Sequence, residues 1–361
     1  MLRPETEADL VDAIAAAKDP LAIQGGGTRG VSCQGTPLTT ERLTGVSLHE
    51  PGALTLVAAA GTPVAEVEQL LAEENQRLAF EPPDLRALLG SEGTPTLGGV
   101  FATNGAGPRR IQCGAARDFL LGVRFVDGTG TAVSNGGRVM KNVTGYDLVK
   151  LMAGAHGTLG VLSEVSLKVL PQAEATSTVV VSTGDLGAGL QAMSTALGAP
   201  YDVSGAAFNP AAGEAYIRLE GFQSSVAYRA EKLSTLLAGH GAVELRTDSA
   251  NLWKGIRDVQ PLVGADGDLW RISVKPGDAV RLIPALGAAQ CLLDWGGGLV
   301  WAVVPKGTDV RARMAVPGHA TLMRGRGFAR FHPEPAPLAA LSAGLRAQFD
   351  PRQILNPGLM G

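Results

Sequence analysis

Residues 91–167 read SEGTPTLGGVFATNGAGPRRIQCGAARDFLLGVRFVDGTGTAVSNGGRVMKNVTGYDLVKLMAGAHGTLGVLSEVSL. The stretch is dense in Gly, Thr, Ser and Ala and is broken by short apolar runs. Glycine permits positive φ and close approach of backbone to a ligand. The succession Gly98-Gly99, Gly105, Gly107, Gly154, Gly157 and Gly160 reads as backbone laid along an extended ligand. Backbone N–H groups and small hydroxyls such as that of Thr96 suit a pyrophosphate or a flavin edge, because they donate hydrogen bonds without filling space. Composition alone equally admits a set of glycine-rich surface loops.

Upstream, Glu5 to Lys18 reads as a helix, with Leu10, Val11, Ile14 and Ala17 on one face and acidic residues at its start. Pro20 to Gln24 reads as a strand running into Gly25-Gly26-Gly27-Thr28-Arg29-Gly30. These residues match G-x-G-x-x-G, but the dinucleotide fingerprint must open a helix. Residues 31–40 are VSCQGTPLTT, a loop sequence. The expectation is therefore a tight anion-binding turn without a helix, its N–H groups forming a nest and Thr28 adding a hydroxyl. Ala53–Ala60 reads as a buried strand, and Thr62 as the N-cap of a helix with Pro63 at its first position, running to about Asn75. Val123 to Gly130 reads as a hairpin about an Asp-Gly turn. Val161 to Leu170 alternates as a half-buried strand, and Pro171 closes the unit.

The chain has 361 residues, enough for two domains, and is 45% hydrophobic and 18% charged. A net charge of −3 supplies no basic field for nucleic acid. No apolar run reaches the roughly 18 residues of a membrane span, and the N-terminus has no apolar signal core, so the expected location is cytoplasmic. Cys33, Cys113 and Cys291 are widely spaced and fit neither a disulfide framework nor an iron–sulfur ligand set. A further redox centre must then sit on another chain.

Several motifs carry a resemblance: Thr96-Leu97-Gly98-Gly99, Arg117-Asp118 with Leu120-Leu121-Gly122, Gly145-Tyr146-Asp147-Leu148, and Gly157-Thr158-Leu159-Gly160-Val161. Together they resemble the FAD domain of vanillyl-alcohol-oxidase type flavoproteins. The fold this implies is α+β: a two-subdomain FAD-binding domain over 1–171, an α+β cap over 172–335, and a C-terminal segment, 336–361, that returns to the FAD domain. The implied cofactor-binding residues are Gln24, Gly25, Gly26, Gly27, Thr28, Arg29, Gly30, Thr96, Leu97, Gly98, Gly99, Asn104, Gly105, Arg117, Gly157, Gly160, Val161 and Asn356. Asn356 precedes Pro357 and is expected to be extended, with its amide toward the flavin edge. Covalent members carry a His in the first loop; none occurs between 21 and 48, so the expected cofactor is non-covalent FAD. Where the family often reads Gly-Ser-Glu-Gly this chain has Gly154-Ala155-His156-Gly157, and His156 is expected to be a loop residue.

In the second half, 252–258 (LWKGIRD), 294–301 (DWGGGLVW) and 317–325 (PGHATLMRG) resemble the FAD-binding E subunits of bacterial glycolate oxidases. The family usually has an Arg after the glycines of the second motif, and this chain has none. The resemblance implies a 2-hydroxy acid such as glycolate as substrate, a sister FAD-containing catalytic subunit, and an iron–sulfur subunit. Oxidation of a 2-hydroxy acid needs a cation for the carboxylate and a base for the hydroxyl proton. Arg257, Arg324 and Arg326 are candidates for the first, His319 and then His332 for the second. The histidine-rich motifs of metal-dependent relatives are missing, so no metal site is expected. Two further readings stay open: a non-catalytic assembly subunit, and a stand-alone flavin oxidase of alcohols or sugars.

Overall fold

A computed structural model describes residues 1–139 and 145–360. Residues 140–144 of the opening stretch, and residue 361, lie outside the described residues. The first half is built on a five-stranded sheet in the order Val46–Glu50, Thr55–Ala59, Val161–Lys168, Leu120–Val126, Ala132–Gly136. Val161–Lys168 lies between two neighbours, and six of its eight residues are buried. It is thus a central strand covered on both faces, not the half-buried strand its alternation predicts. The hairpin Leu120–Val126/Ala132–Gly136 forms as expected, its turn held by Asp127, whose Oδ1 accepts from Thr129 and Thr131 N–H groups at 2.8 and 3.0 Å.

The first helix, Glu7–Ala16, starts at Thr6, which forms a capping box with Asp9. The second runs Val64–Glu73 with Pro63 as its N-cap, one residue later than the sequence predicts. Thr62 is not its cap because its hydroxyl is engaged with Gly45, receiving the Gly45 N–H at 3.0 Å. A separate two-stranded parallel pair, Leu21–Gln24 with Thr36–Thr39, carries the Gly25–Gly30 turn at its end. No helix succeeds that turn.

The second half forms an eight-stranded sheet in the order Ala242–Arg246, Ala175–Ser182, Glu214–Gly221, Val203–Asn209, Gln290–Asp294, Leu299–Val304, Asp268–Val274, Gly318–Arg324. It is two βαββαβ units of split-βαβ type joined edge to edge where Phe208 meets Leu293. Helices Leu186–Gly198, Gln223–Leu237, Ala279–Leu286 and Val310–Arg313 cover one face over a shared core that includes Phe208, Ile217, Trp270, Ile272 and Val300. The other face of the second unit packs Leu269, Leu292, Leu299 and Trp301 against Leu85 and Leu88 of the first half. That second face is where the second unit meets the first half.

The chain then returns to the first half. Leu21 N–H donates to Ile354 O at 2.7 Å, and the fully buried Asp350 carboxylate accepts from the N–H groups of Ile354 and Leu355. Just before this return, helix Ala336–Phe349 has no buried residue.

Candidate functional site

A solvent-open cleft lies across the first half. Its lining includes Gln24, Gly25, Gly26, Gly27, Thr28 and Arg29 from the first turn and Thr96, Gly98 and Gly99 from the second. Gly157, Gly160, Val161 and Asn356 complete the expected residues found there. The sequence thus names residues from both ends of the chain that the fold brings together, Asn356 bonding Ile23 next to Gln24.

The local reasons differ from those the sequence suggests. Thr96 caps helix Leu97–Ala102, its hydroxyl receiving Gly99 N–H at 3.3 Å. Leu97 is fully buried in the core and its side chain anchors the turn from below. Gly98 donates to Ala60 O at 2.7 Å, and a Cβ there would sit 2.8 Å from the Ala60 Cβ. Its glycine is required by close packing against the end of the preceding sheet strand. A Cβ on Gly26 would come within 1.7 Å of Thr94 O, so the two turns lie backbone against backbone. In both cases the forbidden space belongs to the protein, a correction to the expectation that these glycines serve to admit the ligand.

Asn356 is also corrected. It is 2% exposed with φ of 43°, a left-handed conformation and not an extended one. Its Oδ1 accepts from Ile23 N–H at 2.6 Å, and its Nδ2 donates to Ile23 O and His156 O at 3.3 and 2.9 Å. The amide is spent as a clasp that fastens the C-terminal segment to two walls of the cleft.

Four expected residues and Leu97 do not line the cleft. Asn104 receives Arg117 N–H on its Oδ1 at 2.9 Å and so braces the turn behind it; Arg117 itself is exposed. Gly105 donates to Val100 O at 2.9 Å and belongs to the same brace. Gly30, the last residue of the first turn, has φ of 61°. His156, expected as a plain loop residue, does line the cleft. It adopts φ of 51° and stacks edge-on against Phe331 at 4.8 Å. Burial, reinforced by the Arg330 and Arg29 charges, pulls its pKa down to about 4, so its imidazole is neutral at neutral pH. Nothing in the sequence around it signalled this placement.

The residues present fit an elongated anionic cofactor. Among the described residues, the N–H groups of Gly26, Gly27, Thr28 and Arg29 donate to no protein acceptor. One terminal nitrogen of Arg29 is buried without a partner, and Arg29 lines the same cleft. Unspent backbone donors beside an orphaned guanidinium nitrogen suit a pyrophosphate.

The candidate clamps lie elsewhere. Arg257 is a bidentate partner of Asp258 at 2.8 and 2.9 Å. Arg324 donates to Leu88 O and Ala265 O at 2.8 and 2.6 Å, tying the cap to the first half. Neither guanidinium is free to hold a carboxylate. Arg326 borders a shallow surface hollow with Arg324, Asp266 and Lys306. His319 sits exposed on strand Gly318–Arg324, opposite Ser273. Its pKa is lowered by partial burial and by the nearby Arg271 and His332. His332 receives Ala320 N–H on its Nδ1 at 3.3 Å. Among the described residues no group of His, Cys, Asp and Glu can hold a metal ion.

Comparison with known proteins places the chain among FAD-linked oxidoreductases. Residues 1–136 match the family "FAD binding domain". The fold is that of alkyldihydroxyacetonephosphate synthase, seen in two crystal forms with TM-scores of 0.70 and 0.72 at 14% identity, over 98% of this chain and 76% of that one. Within that class, the chain is 36% identical to glycolate oxidase subunit GlcE of Escherichia coli (strain K12) over 352 residues, covering 95% of this chain and 93% of that protein. It belongs to the GlcE family. It also resembles glycolate oxidase subunit GlcD of Bacillus subtilis (strain 168), at 31% identity over 50% of this chain and 38% of that protein. A third similarity, also 31%, is to a D-lactate dehydrogenase of Archaeoglobus fulgidus, over 42% of this chain and 34% of that protein.

Proposed function

We propose that this chain is the FAD-binding subunit of a glycolate oxidase complex and takes part in oxidation of a small 2-hydroxy acid. The observation that carries the reading is the cleft, where the first glycine turn leaves N–H groups and an Arg29 nitrogen unspent and the Thr96–Gly99 turn forms a second wall. In this reading the cofactor is non-covalent FAD and supplies the two-electron acceptor for the hydroxy acid. Gly25 to Thr28 hold its pyrophosphate, and Arg29 balances the charge. The Thr96–Gly99 and His156–Val161 segments border the rest of its length. A neutral His156 adds no charge beside the cofactor. We assign residues 1–171 to the FAD domain, 172–335 to the cap and 336–361 to the returning segment. The proposed partners are a sister FAD-containing subunit and an iron–sulfur subunit that accepts the electrons. Among the described residues no helix is long and apolar enough to cross a membrane.

The chain's own turnover is tested by adding glycolate or D-lactate anaerobically to the purified, FAD-loaded chain and monitoring the flavin absorbance. Bleaching at the rate of complex turnover supports a catalytic subunit. A flavin that stays oxidised, while the assembled complex oxidises glycolate, assigns the chain a holding and assembly role.

A further inference from the structure

We propose that Arg110 and Arg271, both set over the Trp295 indole at the seam between the two halves, form a subsite for the carboxylate of a small 2-hydroxy or 2-oxo acid. The choice of acid rests on the function proposed above; the anion site itself rests on this chain's side chains.

The three residues come from different elements. Arg271 lies in strand Asp268–Val274 between Trp270 and Ile272, which both point into the core under the helices. Strand alternation therefore turns Arg271 to the opposite face, toward the first half. Arg110 opens helix Arg110–Cys113 of the first half. Trp295 comes directly after the second unit's strand Gln290–Asp294 and is held through both its backbone and its ring. Its Nε1 donates to Gly107 O at 3.0 Å, and its N–H donates to Asp294 Oδ1 at 2.7 Å. The residue is 9% exposed. The guanidinium of Arg110 lies 4.8 Å from the ring centroid and that of Arg271 lies 5.1 Å from it. The two guanidinium carbons can be no further apart than those two distances combined.

Among the described residues neither guanidinium makes a hydrogen bond or an ion pair. Both are held below the usual arginine range, first by burial. Arg110 is the second cause for Arg271, and Arg117 repels Arg110. Asp118, the acid nearest in effect to Arg110, spends an oxygen on the Ala115 N–H at 2.8 Å. Two cations half-buried on one ring without a counter-ion are unfavourable until an anion arrives. A guanidinium stacked on an aromatic ring keeps its N–H edge free, in the fork geometry that matches a carboxylate. The indole face stabilises each cation without consuming a donor. His319 is on the same sheet face, two residues along from the partner of Arg271 in the register Arg271–Thr321, and its imidazole feels the Arg271 charge. A carboxylate on the arginines would bring the rest of a small hydroxy acid to the neighbourhood of that base.

Oxalate is a suitable probe, because it carries the carboxylate and has no C–H to oxidise; glycolamide is the neutral control. Binding to the purified full-length chain is read by calorimetry, with flavin content read separately by absorbance. We expect oxalate to bind the wild-type chain, and Arg110→Gln and Arg271→Gln each to weaken it at least tenfold with flavin content unchanged. Glycolamide should give no heat in any of the proteins. Should Arg271→Gln fail to fold, Arg110→Gln, which gives up only its contact with the ring, carries the comparison alone. Absence of oxalate binding to the wild type, or equal binding by Arg110→Gln, overturns the proposal. A colourless protein that still binds oxalate would overturn the FAD reading and leave the anion site standing.

Discussion

Arg109 and Arg110 are adjacent in sequence and opposite in circumstance. Arg109 is buried and donates to both oxygens of Glu220 at 2.8 and 2.7 Å, with Glu81 at 3.3 Å. Arg218 makes a bidentate pair with Glu81 at 2.8 and 3.0 Å, and Arg77 adds a bond to Glu220 at 2.7 Å. Three arginines and two glutamates thus lock the first half to the cap. One residue along, Arg110 and its cap counterpart Arg271 have only the Trp295 ring as a shared neighbour. The same seam contains a saturated charge network and an unsaturated one. Saturation marks a structural joint, because a buried charge is tolerable only when paired. The unpaired cations mark a place prepared for a ligand. His156 shows a third outcome, a basic group between Arg29 and Arg330 that the fold keeps neutral.

The comparison breaks most readily at the lock. Glu220→Gln would leave Arg77 and Arg109 without their shared carboxylate, and removal of one partner from a buried network costs about 3–5 kcal/mol. A melting temperature unchanged in this variant would show that the lock carries no weight. Acid tests the same joint and the discharged histidine together. Glu81 and Glu220 are held below the usual carboxylate range because Arg109 and Arg218 outweigh their burial. Their contribution is fully present above the ordinary glutamate value of 4.5 and is lost as pH falls through the lowered folded values. His156 acts earlier, since the unfolded chain takes up its proton near 6.5 and the folded chain only near 4. Between those values the fold loses stability as pH falls, by about 3 kcal/mol at most. His156→Gln should remove that upper part of the acid slope in a pH series of chemical denaturation; an identical slope would contradict the placement. The smallest effect belongs to Arg110→Gln. It should change stability by less than about 1 kcal/mol, because only the ring contact is lost and one repulsion is relieved. A loss of several kcal/mol would mean that Arg110 is structural after all.

Much of the first half was legible because its signals are local. A glycine turn after a strand, with no helix-forming sequence behind it, fixes the turn's character wherever it lies. The TLGG motif located the second wall, yet the reason for Gly98 was invisible, since Ala60 approaches it only in the fold. Asn356 was found by its motif and misread in detail, because its clasp partners, Ile23 and His156, lie far away in sequence. In the cap, three motifs were readable, but the pairing of two βαββαβ units was not. It depends on strand order, set by contacts such as that of Phe208 with Leu293. The arginines illustrate the limit most directly. Arg257 and Arg324 looked available and are spent on Asp258 and on two backbone carbonyls. Arg271 sits in an apolar strand run, where only the alternation with Trp270 and Ile272 hinted at a separate face.

The most direct test of the account is the absorbance spectrum of the purified chain before and after acid precipitation, alongside Gly26→Val. The account predicts flavin peaks that pass wholly into the supernatant. It also predicts a colourless variant, because its side chain cannot coexist with Thr94 O and would force apart the two turns that wall the cleft. A wild-type chain that is colourless and takes up no added FAD would contradict the central claim. Flavin retained in the pellet would contradict its non-covalent form and direct attention to His156, which lines the cleft.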